Sequence, residues 1–387
     1  MTDMALTRED PTLSESGSAV TFKPLFRYDG TVAELLPIVL VNAGLNVLTL
    51  TLWRFWGRTR VRRYLWSRVS LDGDRFEYSG TGLELLLGFL IVFFAVLVPY
   101  GLLMNHVPQV LADKPILLTL LMSVSTLLVC GLIGAAIYRA RRYRLSRTQW
   151  RGVRAAQVGS AGRYGLTMVL FLVGCVFTAG LLFPLMRLSL ARYRWRNTIF
   201  GNQRFGFEGG VRELYIAFTI SLGLVLAALP VVVVLSSFLS TALLVVGLSP
   251  INLVLTEPSP SSGMVVLSFF FYVGLIGIPL VLVGIAISSF YLAREAIVIA
   301  ESVTMGKTRF RFQLLVPDMV GLLFGNILIL VFTLGFGAPF VTHRMFKFIC
   351  ARLEVAGEPD YEAIHQSAEL TPRHGEGLAE GVDVGAV

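Results

Sequence analysis

Residues 75–85 read RFEYSGTGLEL and stand directly before a long apolar run. The same phrase returns as RFGFEGGVREL at residues 204–214, and a looser copy, FRYDGTVAEL, occupies residues 26–35. A shorter piece, RFRF at residues 309–312, precedes another apolar run. Each phrase alternates aromatic with polar or small residues, which indicates a short extended segment that packs aromatic side chains at a membrane interface. The recurrence predicts a chain built by internal duplication.

The apolar runs set the class of protein. Of the 387 residues, 55% are hydrophobic and 15% are charged, whereas a soluble domain has about 45–50% apolar and about 25% charged residues. Several runs reach the length of about 18 uncharged residues that indicates a spanning helix. The seven apolar stretches lie near residues 33–53, 83–104, 116–138, 164–186, 214–247, 264–293 and 318–342. The fold class predicted is an all-α polytopic membrane protein with internally repeated helices.

Two of the stretches begin with a helix-capping pattern. Thr31 and Thr81 are each followed three residues later by a glutamate, Glu34 and Glu84. In such a capping box the threonine accepts a hydrogen bond from the amide of the third helical residue, and the glutamate reaches back to the cap. These glutamates therefore have a structural explanation that requires no catalytic role.

A second repeat covers stretches one, four and seven. FTLGFGAP at residues 332–339 aligns with FTAGLLFP at residues 177–184, whereas LTLTLWRF at residues 48–55 lacks the glycine and the proline. A glycine followed by a proline four residues later breaks a helix, which a bilayer tolerates where protein or water covers the freed backbone. The predicted organisation is a disordered tail (1–20), a first membrane repeat (21–158), a second (159–313), a partial third (314–365) and a second disordered tail (366–387).

The basic residues restrict the topology. They cluster at residues 54–68, 139–154, 187–204 and 294–311, and the positive-inside rule places such clusters in the cytoplasm. Seven simple crossings cannot put all four clusters on one side. All four clusters do lie on one side if stretches two, three, five and six span the membrane and stretches one, four and seven form re-entrant or interfacial hairpins. The alternative is seven spanning helices with a weak charge bias.

Residues 53–87 carry a family resemblance, in a segment that includes Arg60, Arg63, Tyr64, Leu71, Gly73, Arg75, Phe76, Tyr78 and Gly80. Over about residues 24–361 the chain resembles the YjgN-type bacterial inner-membrane proteins, a family of unknown function. The resemblance implies a multi-pass location in the bacterial inner membrane and brings no catalytic residue with it.

Catalytic and metal-binding patterns are not found in the sequence. The four histidines form no HExxH pair, there is no Gly-x-Ser-x-Gly elbow, and the three cysteines form no CxxC pair. We therefore expect no metal, no cofactor and no disulfide. The sequence leaves open whether the protein is an enzyme, and it favours a protein that is not one. Nucleic acid is not an expected partner either, because no soluble basic domain carries the net charge of +8.

Two sets of residues are candidates for a ligand site. Arginines interleaved with aromatic residues favour anionic lipid headgroups, because a guanidinium pairs with phosphate in a bidentate way; the alternative is that they serve topology and anchoring alone. The headgroup candidates are Arg58, Arg60, Arg63, Tyr64, Arg192, Tyr193 and Arg344. A polar lining within the membrane is predicted at Asn42, Asn46, Thr178, Asn326 and Thr333, for which the alternative is hydrogen bonding between helices of a dry bundle.

The function that these patterns favour is the non-enzymatic passage or organisation of a small or lipidic ligand. The expected partners are membrane lipids, including anionic headgroups. A membrane enzyme that acts on lipid and a structural scaffold for a membrane complex are the alternatives.

Overall fold

The computed structural model describes residues 22–247, 249–256, 261–357, 364 and 366. The predicted tails, 1–20 and 366–387, lie outside this part of the chain except for Gln366. The helices are α1 (Val32–Leu48), α2 (Arg54–Ser67), α3 (Gly82–Val92), α4 (Val98–Val110), α5 (Pro115–Ser146), α6 (Ala161–Phe177), α7 (Phe183–Arg196), α8 (Arg212–Val245), α9 (Pro250–Thr256), α10 (Ser262–Ser302), α11 (Val316–Phe332) and α12 (Ala338–Arg352). A π-helical segment, Phe93–Leu97, joins α3 to α4.

Four helical segments are long and apolar enough to cross a membrane. They are Gly82–Val110, Pro115–Ser146, Arg212–Val245 and Ser262–Ser302, and they correspond to the four stretches predicted to span. Their outer surfaces are apolar and exposed; Leu226 and Phe270, for example, are each 65% accessible. Such exposure in an isolated chain is typical of side chains that face lipid.

The prediction of an all-α fold is wrong, because the structure contains an 11-stranded sheet. The strands are β1 (Phe22–Pro24), β2 (Arg27–Tyr28), β3 (Val69–Leu71), β4 (Asp74–Tyr78), β5 (Thr148–Trp150), β6 (Val153–Gln157), β7 (Thr198–Phe200), β8 (Gln203–Phe207), β9 (Val303–Met305), β10 (Thr308–Phe312) and β11 (Leu353–Ala356). The alternating phrases of the sequence lie in β2, β4, β8 and β10. Their extended conformation was expected, but their assembly into one sheet was not, because one partner of each strand lies far away in the chain.

The sheet forms a nearly closed ring. Its order is β1-β11-β10-β9-β8-β7-β6-β5-β4-β3-β2, so the two end strands are consecutive in sequence and residues 25–26 join them. All pairings are antiparallel, as in Phe22↔Ala356 and Arg27↔Ser70. The segment 22–28 therefore links the last strand of the chain to β3 and completes the ring.

Tight turns connect four strand pairs of the ring. In the β3–β4 hairpin, Leu71 pairs with Asp74 around Asp72 and Gly73, whose φ angles are 50° and 84°. Two-residue loops of this kind need positive φ at the central residues, which an Asp-Gly pair adopts readily. The other two-residue loops are 151–152, 201–202 and 306–307.

Stretches one, four and seven form helical hairpins, each of which leaves the sheet and returns to it. The first hairpin is α1–α2, the second α6–α7 and the third α11–α12. Every second helix leads into a strand; α7, for example, is followed by β7, which pairs with β6 through Gln157↔Thr198. Each of the four basic clusters consequently adjoins a strand of one sheet, although Arg54 and Arg187 lie at the starts of α2 and α7, near the hairpin tips.

The same turn geometry recurs at the three hairpin tips. Thr49, Thr178 and Thr333 each end a helix and donate a hydrogen bond from Oγ1 to the carbonyl oxygen four residues earlier. Two residues later the amides of Thr51, Gly180 and Gly335 donate to the carbonyl oxygens of Asn46, Cys175 and Leu330, at 2.7, 2.7 and 2.8 Å.

Candidate functional site

A large cavity lies between the helices that return to the sheet. Its volume is about 1060 Å³, and its walls come from α1, α2, the ends of α5 and α7, and α12. At one end it is bounded by residues of the sheet and its links, Phe26, Val69 and Phe76. At the other it reaches the tip of the third hairpin at Leu334 and Phe336. The cavity therefore extends from the strand ring toward the hairpin tips.

Helix α2 contributes a row of arginines to this cavity. Arg54, Arg58 and Arg62 are spaced by four residues and so lie on one helix face, over a length of about 12 Å at 1.5 Å per residue. Arg62 donates to the Tyr78 hydroxyl at 3.4 Å, and the Arg54 guanidinium lies 4.9 Å from the Phe89 ring centroid. These contacts orient the two side chains.

The opposite wall carries a second group of arginines. Arg141 and Arg144 come from the end of α5, and Arg194 comes from α7. The Arg141 guanidinium stacks on Trp195 at 4.7 Å from the ring centroid. Its charge interacts unfavourably with those of Arg144 and Arg194, and the buried Nε of Arg194 finds no hydrogen-bond partner among the described residues.

The described lining of the cavity is rich in arginine. Its lining includes six arginines, namely Arg54, Arg58, Arg62, Arg141, Arg144 and Arg194. Among the described residues that line it, none is an aspartate or a glutamate. The remaining wall is largely apolar, so the cavity combines an anion-attracting surface with a hydrophobic one.

Nearby acidic residues are held by partners of their own. Glu34 accepts hydrogen bonds from Tyr64 at 3.0 Å and pairs with Arg68 at 3.0 Å. Desolvation, together with the Glu34 carboxylate, raises the pKa of Tyr64 above its ordinary value of 10.0. Glu84 makes a similar contact with Tyr143 and Arg147, at 2.6 Å each.

The capping boxes are only partly formed. Thr31 and Thr81 accept from the third helical amide as expected, both at 3.4 Å. The carboxylates of Glu34 and Glu84 bind the ends of other helices instead. These glutamates therefore tie helix starts to helix ends at the sheet.

The predicted headgroup residues divide into three locations. Arg58 lines the cavity. Arg60, Arg63 and Tyr64 line a separate outer groove of about 700 Å³ between α1 and α2. The others support the backbone: Arg192 donates to the Gly209 carbonyl at 3.0 Å, the Tyr193 hydroxyl bonds both backbone groups of Ser160 at 3.0 Å, and Arg344 donates to the Gly321 carbonyl at 3.3 Å. Arg63 and Tyr64 make the matching contacts to Gly80 and Thr31, at 2.9 Å.

The predicted polar lining also divides. Asn42 and Asn46 face the cavity. Asn42 donates to the Gly57 carbonyl at 3.3 Å and accepts from the Trp53 indole at 3.2 Å, whereas the buried Oδ1 of Asn46 has no partner among the described residues. The hydroxyl groups of Thr178 and Thr333 donate to backbone carbonyl oxygens in their own hairpin turns. Asn326 is buried in α11 and does not line the cavity.

Five cavity arginines are not among the predicted headgroup residues: Arg54, Arg62, Arg141, Arg144 and Arg194. The four-residue spacing of Arg54, Arg58 and Arg62 was a usable signal for a single helix face. No local signal links them to Arg194, because α2 and α7 are far apart in the chain and meet only through the successive pairings of β4, β5, β6 and β7.

A metal-binding cluster is not present in the described part of the chain, where no group of three His, Cys, Asp or Glu residues converges. The expectation that the protein uses no cofactor stays a prediction.

Comparison with known proteins places the chain in a family. The family described as "Bacterial protein of unknown function (DUF898)" matches residues 23–381. The chain belongs to the DUF898 family. It is similar to the inner membrane protein YjgN of Escherichia coli O157:H7, at 31% identity over 129 residues, and to that of strain K12, at 30%. These matches cover 33% of this chain and 30% of each relative, so the chain spans about a third of the relatives that it matches.

No solved structure matches this DUF898 chain. The YjgN relatives are named inner membrane proteins, and four long apolar helices of this chain are long enough to cross a membrane. This DUF898 protein is a multi-pass protein of the bacterial inner membrane.

Proposed function

We propose that this DUF898 protein binds an anionic, lipidic ligand in the arginine-lined cavity and passes or organises it in the inner membrane without chemical conversion. The observation that carries the proposal is the cavity itself, which combines six arginine side chains with largely apolar walls. Arginine is suited to phosphate recognition because its guanidinium remains charged and presents paired donors.

The proposal includes the membrane arrangement. The four long helices span, and the three helical hairpins enter the bilayer from the cytoplasmic side and return. Two observations support this arrangement. The hairpin tips are apolar and exposed, with Leu50 and Phe177 each 85% and Leu334 87% accessible. The chain segments before and after each hairpin also pair within one sheet, and hydrogen-bonded strands cannot lie on opposite faces of a bilayer.

Sidedness follows from the basic clusters. Each cluster adjoins a strand of the sheet, and the positive-inside rule assigns that end to the cytoplasm. The cavity then opens at the level of the cytoplasmic leaflet, where anionic lipids interact with basic residues by about 1 kcal/mol per charge. The two alternatives, a membrane enzyme and a scaffold, stay predictions. No contact among the described residues supports either of them.

Lipid competition tests this function. The purified protein is mixed in neutral detergent with phosphatidylglycerol and phosphatidylcholine of equal chain length, and bound lipids are counted by native mass spectrometry. Wild-type protein should prefer phosphatidylglycerol. The double variant Arg58→Gln/Arg62→Gln should lose about 2 kcal/mol of that preference, roughly 30-fold.

The comparison variant is Arg60→Gln, which removes a charge from the other face of α2, where Arg60 lines the outer groove. It should keep most of the preference. If Arg60→Gln abolishes the preference and the double variant retains it, the ligand binds in the outer groove and the proposal for the cavity is wrong. Equal binding of both lipids by wild-type protein would also reject it.

A further inference from the structure

The strand ring has an inner and an outer face. Residues that lie directly opposite each other in neighbouring strands share a face, as do residues two apart along one strand. Phe76 lines the cavity, and the strand register continues its face through Trp150, Phe200 and Phe205 to Phe310. These aromatic side chains therefore lie on the inner face of the ring.

The outer face is basic between β6 and β10. The same register places on it Arg154, Ile199, Arg204 and Arg309, and Lys307 lies in the adjoining loop between β9 and β10. Arg204, Lys307 and Arg309 are exposed. None of these three forms an ion pair with a carboxylate in the part of the chain that the structure describes. The surface made by Arg154 and these three residues is called the basic face.

The C-terminal residues contact the ring at two separate strands. A methyl group at Gly357, directly after β11, would lie 3.3 Å from the Lys307 carbonyl oxygen, beside β10. The side-chain oxygen of Gln366 accepts a hydrogen bond from the Arg154 amide in β6 at 2.8 Å. In the order of the sheet, β6 lies four strands from β10. The chain thus leaves the ring beside β10 and meets it again at β6.

Chain length restricts the route between these two contacts. The strand spacings from β10 to β6 by way of β8 amount to about 19 Å, whereas the way round through β1 and β2 amounts to about 34 Å. The nine residues from Gly357 to Gln366 reach at most about 30 Å when fully extended. The longer way is therefore excluded, which leaves the side of the ring that carries the basic face.

Two apolar side chains indicate where the segment lies on that side. Ile199 is on the outer face, opposite Arg204 in register, yet it is only 5% exposed. Ile364, two residues before Gln366, is 8% exposed. Contact between the two isoleucines would remove both from water, which is favourable for apolar side chains.

The segment also has the charge that the basic face lacks. Residues 358–363 read EPDYEA, and residues 358–387 contain seven acidic residues and one arginine. Exposed opposite charges attract weakly pair by pair, and several together select a preferred docking surface.

We propose that the acidic segment 358–366 docks on the basic face, with Ile364 packed on Ile199 and the carboxylates toward the exposed cations. The basic face thus has an occupant from the same chain, which shields it from anionic groups of the membrane surface. This inference is independent of the cavity and its ligand.

Disulfide crosslinking in isolated membranes tests the docking. The full-length protein, without its three native cysteines, carries Ile364→Cys with Ile199→Cys or, as the matched control, with Phe200→Cys on the inner face. Linked peptides are identified by mass spectrometry after mild oxidation. A disulfide requires Cα atoms within about 7 Å, so we expect linkage at position 199 and free thiols in the control.

Three outcomes would overturn the inference. Linkage at position 200 instead of 199 would place the segment inside the ring. Linkage at neither position would mean that the segment does not dock, and a product between two copies of the chain would mean that it docks on a neighbour. Gln366→Cys/Arg154→Cys gives the same readout if replacement of Ile199 prevents folding.

The role of charge is tested by the rate of the same crosslink. Arg204→Gln should slow it by about threefold, the effect of one exposed ion pair, and Glu362→Gln should act likewise. Arg27→Gln is the control, because Arg27 is an exposed outer-face residue of β2, away from the route of the segment. Raising the salt concentration from about 0.02 M to about 0.5 M should slow the unsubstituted pair and remove the difference. A rate that responds neither to Arg204→Gln nor to salt would reject the basic face as the docking surface.

Discussion

Thr51 occupies in the first hairpin the backbone position that Gly180 occupies in the second. Their φ angles are 73° and 86°, and the amide of each closes its turn at 2.7 Å. A left-handed conformation costs an ordinary L-residue roughly 1–2 kcal/mol and costs glycine little. The first hairpin therefore retains the turn without the glycine that favours it.

The first prediction follows from this strain. Thr51→Gly should stabilise the protein by about 0.5–1 kcal/mol, and Gly180→Thr should destabilise it by about 1–2 kcal/mol. Thermal unfolding in detergent, followed by helical circular dichroism, measures both variants. A fall in the unfolding midpoint of Thr51→Gly would mean that the threonine side chain makes a contact that outweighs its backbone strain.

The second prediction concerns the close approach of α5 and α6. A methyl group at Gly165 would lie 2.3 Å from the Gly131 carbonyl oxygen, whereas one at Gly162 would meet only the Ser160 hydroxyl at 3.7 Å. Gly165→Ala should lower stability by about 1–3 kcal/mol through overpacking. Gly162→Ala is its control, with an expected gain of up to about 1 kcal/mol from helix propensity. Similar midpoints for the two variants would contradict this packing.

The third prediction concerns an ion pair between the second hairpin and the last long helix. Arg187 contacts the Glu295 carboxylate at 2.6 Å, and the side chain of Glu295 is 4% exposed. Arg187→Met leaves that buried charge without its partner and should cost about 2–3 kcal/mol, less than for a fully buried pair because Arg187 is 41% exposed. Arg187→Met/Glu295→Leu removes both charges and should restore most of the loss. The unfolding midpoint in detergent measures the loss and its recovery. If the double variant were as unstable as Arg187→Met, the ion pair would not explain the loss.

The fourth prediction is a pH dependence of stability. The ring of His343 bonds the Tyr28 hydroxyl through Nδ1 at 2.7 Å, and burial, followed by the charge of Lys347, lowers the pKa of His343 below its ordinary value of 6.5. The unfolded chain thus binds the proton more readily than the folded chain. The stability contribution of neutral His343 is complete above the unfolded pKa, and it is lost as the pH falls below that value.

His343→Gln tests this contribution. The unfolding midpoint of wild-type protein should drop between about pH 8 and about pH 5.5, and the drop should be smaller in the variant. An identical drop in both proteins would show that other groups are responsible.

How much could be predicted differs between the helices and the sheet. Uncharged length alone predicted the four long helices, and aromatic alternation predicted that β4, β8 and β10 are extended. The ring was not predictable from these patterns, because strands of two to five residues pair with neighbours from other parts of the chain. Asp72-Gly73 and Arg151-Gly152 were the overlooked signal for two-residue hairpin loops.

The site was predicted less well than the fold. Arg58, Asn42 and Asn46 do face the cavity, but Arg192, Tyr193 and Arg344 bond backbone carbonyls and amides instead. Arginine density was a poor guide, because a guanidinium that anchors a loop and one that lines a cavity look alike in sequence. The two kinds of arginine can be distinguished only in the folded structure, where α2, α5 and α7 come together at the sheet.

Sidedness labelling tests most directly whether one sheet gathers all the hairpins at the cytoplasmic face. Cysteines are introduced at the exposed loop positions Asn202 and Lys307 after Cys130, Cys175 and Cys350 are replaced, and intact cells are treated with a membrane-impermeant maleimide. Asp113→Cys, in the loop between α4 and α5, provides the external reference. Asn202→Cys and Lys307→Cys should stay unlabelled until the membrane is permeabilised, while Asp113→Cys is labelled at once. Labelling of positions 202 and 307 in intact cells would contradict the arrangement and favour seven spanning helices.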